Sequence, residues 1–343
     1  MAEEIRLGFC GAGKIVETHL AALERVEGMS ATAVSSRTKK NARRLARRFK
    51  VPVATDDHQQ VIDSPQVDVV FVAAPNYLHA PLVIAATQAG KHVIVEKPLA
   101  TNLVEGKKMA AAVRKAGVEL FYAEQLPLAP KSQALAAAVA AGEFGDLHFA
   151  RQVERHSGPY SPWFFRKETA GGGVLVDLGC HSISVLLDLL PGREIEAVSG
   201  LIRTYRHTDG DVEDFSLVRM EFAGGAVAEA ENSWCYLGGF ESVTEVYGAE
   251  GNAVVDIGKG SGVTAFLEGR HLGDRDGEGG WHSPQHDPLW ENGYIAQFEA
   301  IKATLREGAP YPQTVEDGLR VLRIMTAAYQ SAARGGRPAR GPF

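Results

Sequence analysis

Cysteine is scarce in this chain. The 343 residues include 3 cysteines, Cys10, Cys180 and Cys235, which lie far apart. No two of them have the short spacing of a zinc ligand pair, and an odd number does not suit a disulfide framework. The composition therefore predicts neither a structural zinc site nor disulfides, and it favours a reducing compartment.

Long apolar runs are also missing. No stretch of about 18 consecutive apolar residues occurs, so the sequence predicts no membrane-spanning helix. The first residues, Met1 to Glu4, include two acidic side chains and lead directly into an apolar strand, a start that is not typical of a signal peptide. We therefore expect a cytoplasmic protein with no membrane partner.

Positive charge is not concentrated on a binding surface. The formal net charge is −6, and no basic stripe with interleaved aromatic residues occurs. This argues against nucleic acid as a partner. The one basic run, residues 39–50, contains Leu45, Ala46 and Phe49 among its arginines, a pattern typical of the solvated face of a helix.

The length of the chain predicts two domains, because a chain of 343 residues is longer than those that usually fold around a single hydrophobic core. Strands and helices alternate over residues 1–124, which predicts an α/β domain with a doubly wound parallel sheet. Residues 125–343 are rich in strands joined by glycine-bearing turns, which predicts a mainly antiparallel sheet. The last helix could pack back on the first domain, and the Arg/Gly-rich tail after it is expected to fray.

A glycine turn joins the first predicted strand to the first predicted helix. Gly11 permits a tight turn, Gly13 lets a pyrophosphate approach the backbone, and the helix N-terminus offers free N–H groups. Val16 stands where the dinucleotide fingerprint usually has a third small residue. The residues assigned to cofactor binding here are Gly8, Gly11, Ala12, Gly13, Lys14 and Ile15.

The second predicted strand ends without a carboxylate. Ser36 and Arg37 follow it. An acidic residue at this point would bind the free 2′-OH of NAD, whereas a guanidinium suits the 2′-phosphate of NADP. We therefore expect NADP as the preferred cofactor and NAD as the alternative. Stacking of Arg37 on adenine, or exposure to solvent, is the competing interpretation.

The third predicted strand leads into a turn at the carboxyl edge of the sheet, where a nicotinamide would extend. Ala74, Pro75, Asn76 and His79 are assigned to the cofactor here, although all four also suit an ordinary turn. His79 is expected to be a helix-end residue rather than a base.

The strand over residues 92–95 ends in Glu96-Lys97-Pro98. Ligands of open α/β sheets gather outside the carboxyl ends of the strands. Lys97 is therefore either a functional group or a salt-bridged end residue. Glu96 and Lys97 are both assigned to the cofactor site.

A helical segment in the second half carries Asp177 and His181, which are four residues apart and so share a helix face. The carboxylate could orient the imidazole or raise its pKa, although the pair could also be a surface contact. Three glycines, residues 171–173, precede the segment and suit close approach to a ligand.

In order along the chain, these motifs resemble the glucose–fructose oxidoreductase, inositol dehydrogenase and rhizopine catabolism family. The resemblance rests on residues 8–13, 74–79, 96–98 and 171–181. It implies a Rossmann domain, a C-terminal domain whose large open sheet forms a homodimer or homotetramer, and nicotinamide-dependent redox chemistry on a sugar or cyclitol hydroxyl. It also places Lys97, Asp177 and His181 at the catalytic positions.

From these positions we expect His181 to carry the proton and Lys97 to polarise the reacting oxygen, while Asp177 holds the imidazole or a substrate hydroxyl. Lys97 could be the base instead if burial or nearby positive charge lowered its pKa.

Aromatic faces with polar neighbours suit sugar rings. We therefore expect the substrate to contact a loop near residue 160 and the carboxyl end of the parallel sheet. The candidate substrate contacts are Glu124, Gln125, His156, Trp163 and Arg166, although Trp163 could simply pack beneath its loop. No metal is expected, because His282, His286 and Asp287 lie in a Gly/Pro-rich loop without a close ligand set.

Two other functions fit the same resemblance. One is a redox-neutral enzyme that uses NAD transiently to cleave a glycoside, and net consumption of free cofactor would separate it from a dehydrogenase. The other is a non-catalytic, cofactor-sensing regulator. A sensor needs only the glycine turn, so the joint presence of Lys97, Asp177 and His181 argues against it.

Overall fold

The computed structural model describes residues 4–258, 265–267, 280–282 and 287–343. The strands are β1 (Ile5–Cys10), β2 (Met29–Ser35), β3 (Val53–Thr55), β4 (Val69–Val72), β5 (His92–Glu96), β6 (Leu120–Ala123), β7 (Leu147–Arg155), β8 (Ile195–Arg203), β9 (Phe215–Phe222), β10 (Val227–Ser233), β11 (Glu241–Gly248), β12 (Asn252–Asp256), β13 (Ala265–Leu267) and β14 (Gly280–His282). The helices are α1 (Lys14–Leu23), α2 (Lys39–Arg48), α3 (His58–Ile62), α4 (His79–Gln88), α5 (Leu103–Ala116), α6 (Pro130–Ala140), α7 (Lys167–Ala170), α8 (Val174–Asp177), α9 (Gly179–Leu189), α10 (Pro288–Glu291), α11 (Tyr294–Glu307) and α12 (Val315–Ala333).

The first half forms a six-stranded parallel sheet in the order β3-β2-β1-β4-β5-β6. Every residue of β4 and β6 is buried, as the apolar runs predict for strands covered on both faces. The strand order reverses between β1 and β4, and this switch point opens a crevice at the carboxyl edge. The predicted Rossmann architecture is confirmed. The short strand β3 was not predicted, because its three residues are too few to show a period.

The second half forms a six-stranded sheet in the order β12-β11-β7-β10-β9-β8. Its pairs are antiparallel except for β7 with β10, which is parallel, so the predicted mainly antiparallel sheet is confirmed. Burial alternates along β9, β10 and β11. One face therefore lies in the core with α9 and α12, and the other is half-exposed.

The last two long helices pack on the first half. Ile295, Phe298 and Ile301 of α11 belong to the hydrophobic cluster that contains the apolar side chains of β1. Helix α12 approaches α5 closely, since a Cβ on Gly106 would lie 2.8 Å from the side chains of Leu319 and Leu322. The core is thus continuous between the two sheets.

The C-terminal tail contacts the second sheet at Ala339. Ala339 is buried and exchanges two backbone hydrogen bonds with Val198 of β8, at 2.8 and 2.9 Å. The tail therefore has one fixed point, at a strand edge that its Arg/Gly composition does not reveal, and fraying of the rest of the tail stays a prediction.

The predicted single helix that carries Asp177 and His181 is broken at Leu178 into α8 and α9. The segments Lys167–Asp177 and Gly179–Leu189 meet at an angle of 44°. Among the described residues, no single helix has the length and apolar composition of a membrane span, whereas this bent pair meets both criteria when its two parts are taken together.

Candidate active site

The glycine turn leaves room for a phosphate group. Gly11 has φ +142°, and a Cβ there would lie 2.1 Å from the Ala73 carbonyl oxygen, so only glycine fits. Gly13 begins α1, and a Cβ on it would meet nothing within 4 Å. No side chain caps this helix end, which leaves the N–H groups after Gly13 free to bind an anion. These residues fit the pyrophosphate of a dinucleotide.

The other residues predicted around this turn divide into two groups. Lys14 is exposed and Ile15 half-buried at the start of α1, next to the buried Ala12. Gly8 instead lies inside β1, where a Cβ would collide with the side chains of Val61 and Val67 at 2.5 and 2.8 Å. The structure therefore gives Gly8 a packing role and does not bring it to the surface of the turn.

Ser36 and Arg37 directly follow β2, at the edge of the sheet where an adenosine ribose would lie. Arg37 is exposed, and its guanidinium has no hydrogen bond or ion pair with the part of the chain that the structure describes. Ser36 Oγ accepts a long hydrogen bond of 3.4 Å from the backbone of Thr38. Both side chains are thus free to contact a ligand.

The turn after β4 is hydrogen-bonded to the second half of the molecule. Asn76 is buried, and its Nδ2 donates a hydrogen bond of 2.8 Å to the Ala170 carbonyl. His79 is fully buried, with Nδ1 2.9 Å from the Pro98 carbonyl oxygen and Nε2 3.0 Å from that of Ala74. Burial lowers the pKa of His79. Pro75, which directly precedes Asn76, is half-buried. Asn76 and His79 thus shape the turn through contacts with the protein's own backbone.

Glu96 supports the backbone of its neighbour. Its side chain is buried against His19 of α1, and Glu96 Oε2 accepts a hydrogen bond of 3.1 Å from the Lys97 N–H. Burial alone would raise the pKa of Glu96, but the contact with His19 and the nearby charges lower it. Glu96 therefore fixes the position of Lys97, and the peptide bond between Lys97 and Pro98 is cis.

Lys97 reaches across to the second half of the chain. Its Nζ donates hydrogen bonds to the Asp177 carbonyl oxygen at 2.8 Å and to Asp177 Oδ1 at 2.9 Å. Burial alone would lower the pKa of Lys97, but the attraction of the Asp177 carboxylate is larger, so the pKa of Lys97 is raised. The Asp177 carboxylate therefore favours the protonated form of Lys97, which fits an oxygen-polarising group better than a base.

Asp177 is held on its other oxygen by Trp234. The indole Nε1 donates a hydrogen bond of 3.1 Å to Asp177 Oδ2, and His156 Nε2 lies 3.6 Å from the same oxygen. Burial would raise the pKa of Asp177, but Lys97 and His156 hold it well below its usual range. Trp234, at the end of β10, was missed by sequence reasoning, since its only signal is an isolated tryptophan beside a strand end.

The carboxylate that holds His181 is Glu124, rather than Asp177 as expected. His181 Nδ1 donates a hydrogen bond of 2.6 Å to Glu124 Oε1, and both side chains are buried. The break at Leu178 explains the difference, because Asp177 and His181 no longer lie on one straight helix. Burial lowers the pKa of His181, but the Glu124 carboxylate outweighs that effect and raises it.

The three glycines before α8 serve close packing within the protein. A Cβ on Gly171 would lie 2.7 Å from the Thr101 carbonyl oxygen, and one on Gly173 would lie 1.9 Å from that of Glu213. A Cβ on Gly172 would collide with the hydroxyl of Tyr329. The expectation that these glycines admit a ligand is therefore not supported by their surroundings.

A cleft of about 240 Å³ opens beside the imidazole. It is lined by Gln125, Leu126, Glu154, Leu178, His181, Phe240, Asn292 and Tyr294. Because Nδ1 is held by Glu124, Nε2 is the His181 atom left to exchange a proton with a ligand in this cleft. Of the predicted substrate contacts, Gln125 lines the cleft and Glu124 lies directly behind it.

The loop residues predicted to bind substrate are more dispersed. His156 Nδ1 accepts a hydrogen bond of 2.9 Å from the Gly158 N–H, which leaves the proton on Nε2, toward Asp177. Trp163 stacks on Phe164 with ring centroids 3.8 Å apart, so it packs within its loop. Arg166 is exposed.

One group of potential metal ligands occurs among the described residues. The ligand atoms of Glu124, Cys180 and His181 lie within 4.8 Å of one another. The Cys180 thiol donates a 3.3 Å hydrogen bond to the Asp177 carbonyl, and burial raises its pKa further from the thiolate that a metal requires. The other two potential ligands, Glu124 and His181, are hydrogen-bonded to each other. Of the loop residues considered for a metal, His286 and the side chain of His282 lie outside the described residues, and Asp287 caps α10.

Two family models match the chain. The model described as "Oxidoreductase family, NAD-binding Rossmann fold" matches residues 5–124, and the "GFO/IDH/MocA C-terminal domain" model matches residues 132–254. The chain belongs to the Gfo/Idh/MocA oxidoreductase family. The predicted family is thereby confirmed, and the protein is an NAD(P)-dependent dehydrogenase or reductase that acts on CH–OH groups.

Relatives match over nearly the full length. The myo-inositol 2-dehydrogenase of Thermotoga maritima is 28% identical, over 95% of this chain and 96% of that protein. The crystal structure of GenD2 from gentamicin A biosynthesis, in complex with NAD, is 32% identical with a TM-score of 0.90, and the match covers 100% of this chain and 98% of that one. A levoglucosan dehydrogenase structure with NADH and levoglucosan is 25% identical with a TM-score of 0.84, over 99% of this chain and 100% of that one.

Proposed function

We propose that this protein transfers a hydride between NAD(P) and a hydroxyl-bearing carbon of a sugar, sugar derivative or cyclitol, with Lys97 and His181 as the catalytic residues. The observation that carries the proposal is that an ammonium group and an imidazole are each held by a buried carboxylate. Lys97 is held by Asp177, and His181 is held by Glu124, at the carboxyl edge of the parallel sheet. The sugars and cyclitols named for the relatives support the substrate class.

His181 is the proton carrier in this proposal. In the oxidative direction Nε2 accepts the hydroxyl proton of the substrate, and the Glu124 carboxylate stabilises the imidazolium that forms. A nicotinamide cofactor held by the glycine turn would accept the hydride that leaves the same carbon, so that a carbonyl remains. In the reductive direction the imidazolium returns the proton.

Lys97 stabilises the oxygen during the same step. The substrate oxygen carries growing negative charge as the proton leaves, and an ammonium that is already fixed in place stabilises that charge without reorganising. Asp177 keeps Lys97 protonated and aimed, and Trp234 fixes the second carboxylate oxygen of Asp177.

The glycine turn and the α1 N-terminus would hold the pyrophosphate, and Ser36 and Arg37 would meet the adenosine ribose. We propose NADP as the preferred cofactor, supported by the exposed guanidinium of Arg37 just after β2, which has no partner within the described part of the chain, and by the lack of a carboxylate there. NAD is the alternative, supported by the NAD and NADH complexes of the structural neighbours. The variant Arg37→Ala should weaken NADPH binding about 10-fold or more while leaving NADH nearly unchanged, by calorimetric titration. Equal losses for both cofactors would contradict the NADP preference.

The half-exposed face of the second sheet is proposed as the subunit interface of a homodimer or homotetramer. Charged side chains on this face already satisfy one another, since Glu231 binds both Arg151 and Arg155. On the same face, Leu201 of β8 and Tyr247 of β11 are 40% and 39% exposed. A mass measurement by light scattering that gives a monomer would contradict this assembly.

The experiment that tests the proposed function is a screen of sugars, cyclitols and ketoses with NAD and NADP and their reduced forms, followed through nicotinamide absorbance. We expect net reduction or oxidation of the cofactor with at least one substrate. Chemical conversion without net cofactor turnover would indicate the redox-neutral glycoside-cleaving reaction instead. Failure of any cofactor to bind by calorimetry would contradict the whole proposal.

A further inference from the structure

Glu154 is a buried acid in the substrate cleft that neither catalytic pair uses. It lies near the end of β7, is 2% exposed and lines the same cleft as His181. Its Oε2 is inaccessible to solvent and has no hydrogen-bond partner among the described residues. A buried carboxyl without a partner is costly to retain, so its presence beside a cleft points to a ligand that supplies the missing contact.

The neighbouring strands do not supply that contact. Glu154 pairs in register with Asn232 of β10 and with Ser242 of β11. Asn232 is engaged with Ser182 and Ser216, and Ser242 accepts a hydrogen bond from Gln152. Among the described residues, neither of these two polar side chains forms a hydrogen bond with Glu154, and the cleft that Glu154 lines is the open direction for its carboxyl group.

The charges around the cleft also leave Glu154 unmatched. Lys97 is paired with Asp177, and His181 is paired with Glu124. Burial raises the pKa of Glu154 to about 7, an effect that His181 and Lys97 oppose and that Glu124 and Asp177 reinforce. A ligand that donates a hydrogen bond, or that carries a positive charge, would stabilise the ionised form of this third acid.

We propose that Glu154 is a specificity-determining residue that accepts a hydrogen bond from a second donor on the substrate, on a carbon adjacent to the one that is oxidised. That donor is an O–H or N–H group, so the substrate is a vicinal diol or a vicinal amino alcohol. This inference rests on the proposed function. It narrows the substrate class, since a sugar or cyclitol that is deoxygenated at the neighbouring carbon leaves the buried carboxyl unpaired.

The first test compares Glu154→Gln and Glu154→Leu with Glu307→Gln, an exposed control at the end of α11, on the first half of the molecule. Thermal unfolding is measured on the proteins without ligand. Removing an unpartnered buried carboxyl should leave the melting temperature unchanged or raise it, whereas loss of a structural residue would lower it. This measurement needs no substrate, so it remains informative even if the proposed function fails.

The second test measures kcat/KM with glucose, 2-deoxyglucose and glucosamine, or with the equivalent hydroxyl, deoxy and amino set of the best substrate from the screen. Wild-type protein should prefer the hydroxyl or amino compound over the deoxy compound by about 10-fold or more, and Glu154→Leu should lose that preference. Preference for the hydroxyl compound identifies an O–H donor, and preference for the amino compound identifies an ammonium.

Two results would overturn the inference. One is a Glu154→Leu variant that keeps the wild-type preference for the hydroxyl or amino compound. The other is a variant that unfolds at a markedly lower temperature and loses activity equally with all three compounds, which would make Glu154 a structural residue.

Discussion

The cofactor side and the substrate side of the cleft differ in what they are made of. On the cofactor side, the free N–H groups of α1 and the absence of side chains at Gly11 and Gly13 create the site. On the substrate side, buried side chains held by carboxylates create it, with Lys97 held by Asp177 and His181 held by Glu124. Backbone sites tolerate little added volume, whereas ion-paired sites fail when one partner is removed. The two sides should therefore respond to mutation in different ways.

The largest effect is expected from Lys97→Met. Turnover should fall roughly 10²–10³-fold, because the developing oxygen charge loses its preorganised cation. The buried Asp177 carboxylate also loses its partner, which should reduce the free energy of unfolding by about 3–5 kcal/mol. Steady-state kinetics and chemical denaturation measure the two effects separately.

The double variant Lys97→Met/Asp177→Asn is the control for Lys97→Met. It removes both charges of the pair, so much of the lost stability should return while turnover stays low. Recovery of turnover together with stability would show that Lys97 acts only in folding.

A smaller effect on rate, with a distinct pH signature, is expected from Glu124→Gln. Loss of a charge-assisted hydrogen bond worth about 1.5–3 kcal/mol should lower turnover about 10- to 100-fold. In the oxidative direction His181 must be neutral, so activity falls as pH drops through its pKa. Glu124 raises that pKa. The variant should therefore move the acidic limb of the kcat/KM profile to lower pH.

Glu119→Gln is the matched control for Glu124→Gln, since Glu119 is exposed one residue before β6 begins and Glu124 follows directly after β6 ends. Its profile should match that of the wild type. An acidic limb that stays in place in Glu124→Gln would show that His181 does not produce it.

On the cofactor side, the pair Gly13→Ala and Gly11→Ala should separate binding from folding. Gly13 has open space around it and an ordinary extended backbone, so alanine should fold normally but raise the cofactor Kd by about 10-fold. Gly11→Ala places a methyl group against the Ala73 carbonyl and should unfold at a lower temperature. Unchanged cofactor affinity in Gly13→Ala would contradict the assignment of the pyrophosphate to this turn.

The same contrast explains what the sequence could reveal. The glycine turn is a local pattern, and Lys97 stands at the end of an apolar strand, so both could be located from adjacent residues. The partner of His181 could not, because Glu124 lies 57 residues earlier in the chain. Trp234 and Asp177 are separated by the same number of residues. Helical spacing pointed to Asp177 instead, and the break at Leu178 removed the basis for that choice.

Glu154 shows a different limit of sequence reasoning. Alternation along β7 places Ala150, Gln152 and Glu154 on one buried face, which is visible in the sequence as a strand with a charged residue at a core position. Nothing in the pattern tells that its neighbours on β10 and β11 leave Glu154 Oε2 without a hydrogen bond. That requires the strand order, in which β7 lies between two strands that are distant in the chain.

The most direct test of the account is the pH dependence of single-turnover cofactor reduction in wild-type protein and in His181→Gln, with the best substrate from the screen. We expect the wild-type rate to fall on the acidic side, and the variant to be slower by about 10²–10⁴-fold and to lack that limb, with cofactor affinity unchanged. A variant that keeps a near-wild-type rate with the same acidic limb would contradict the assignment of His181 as the proton carrier.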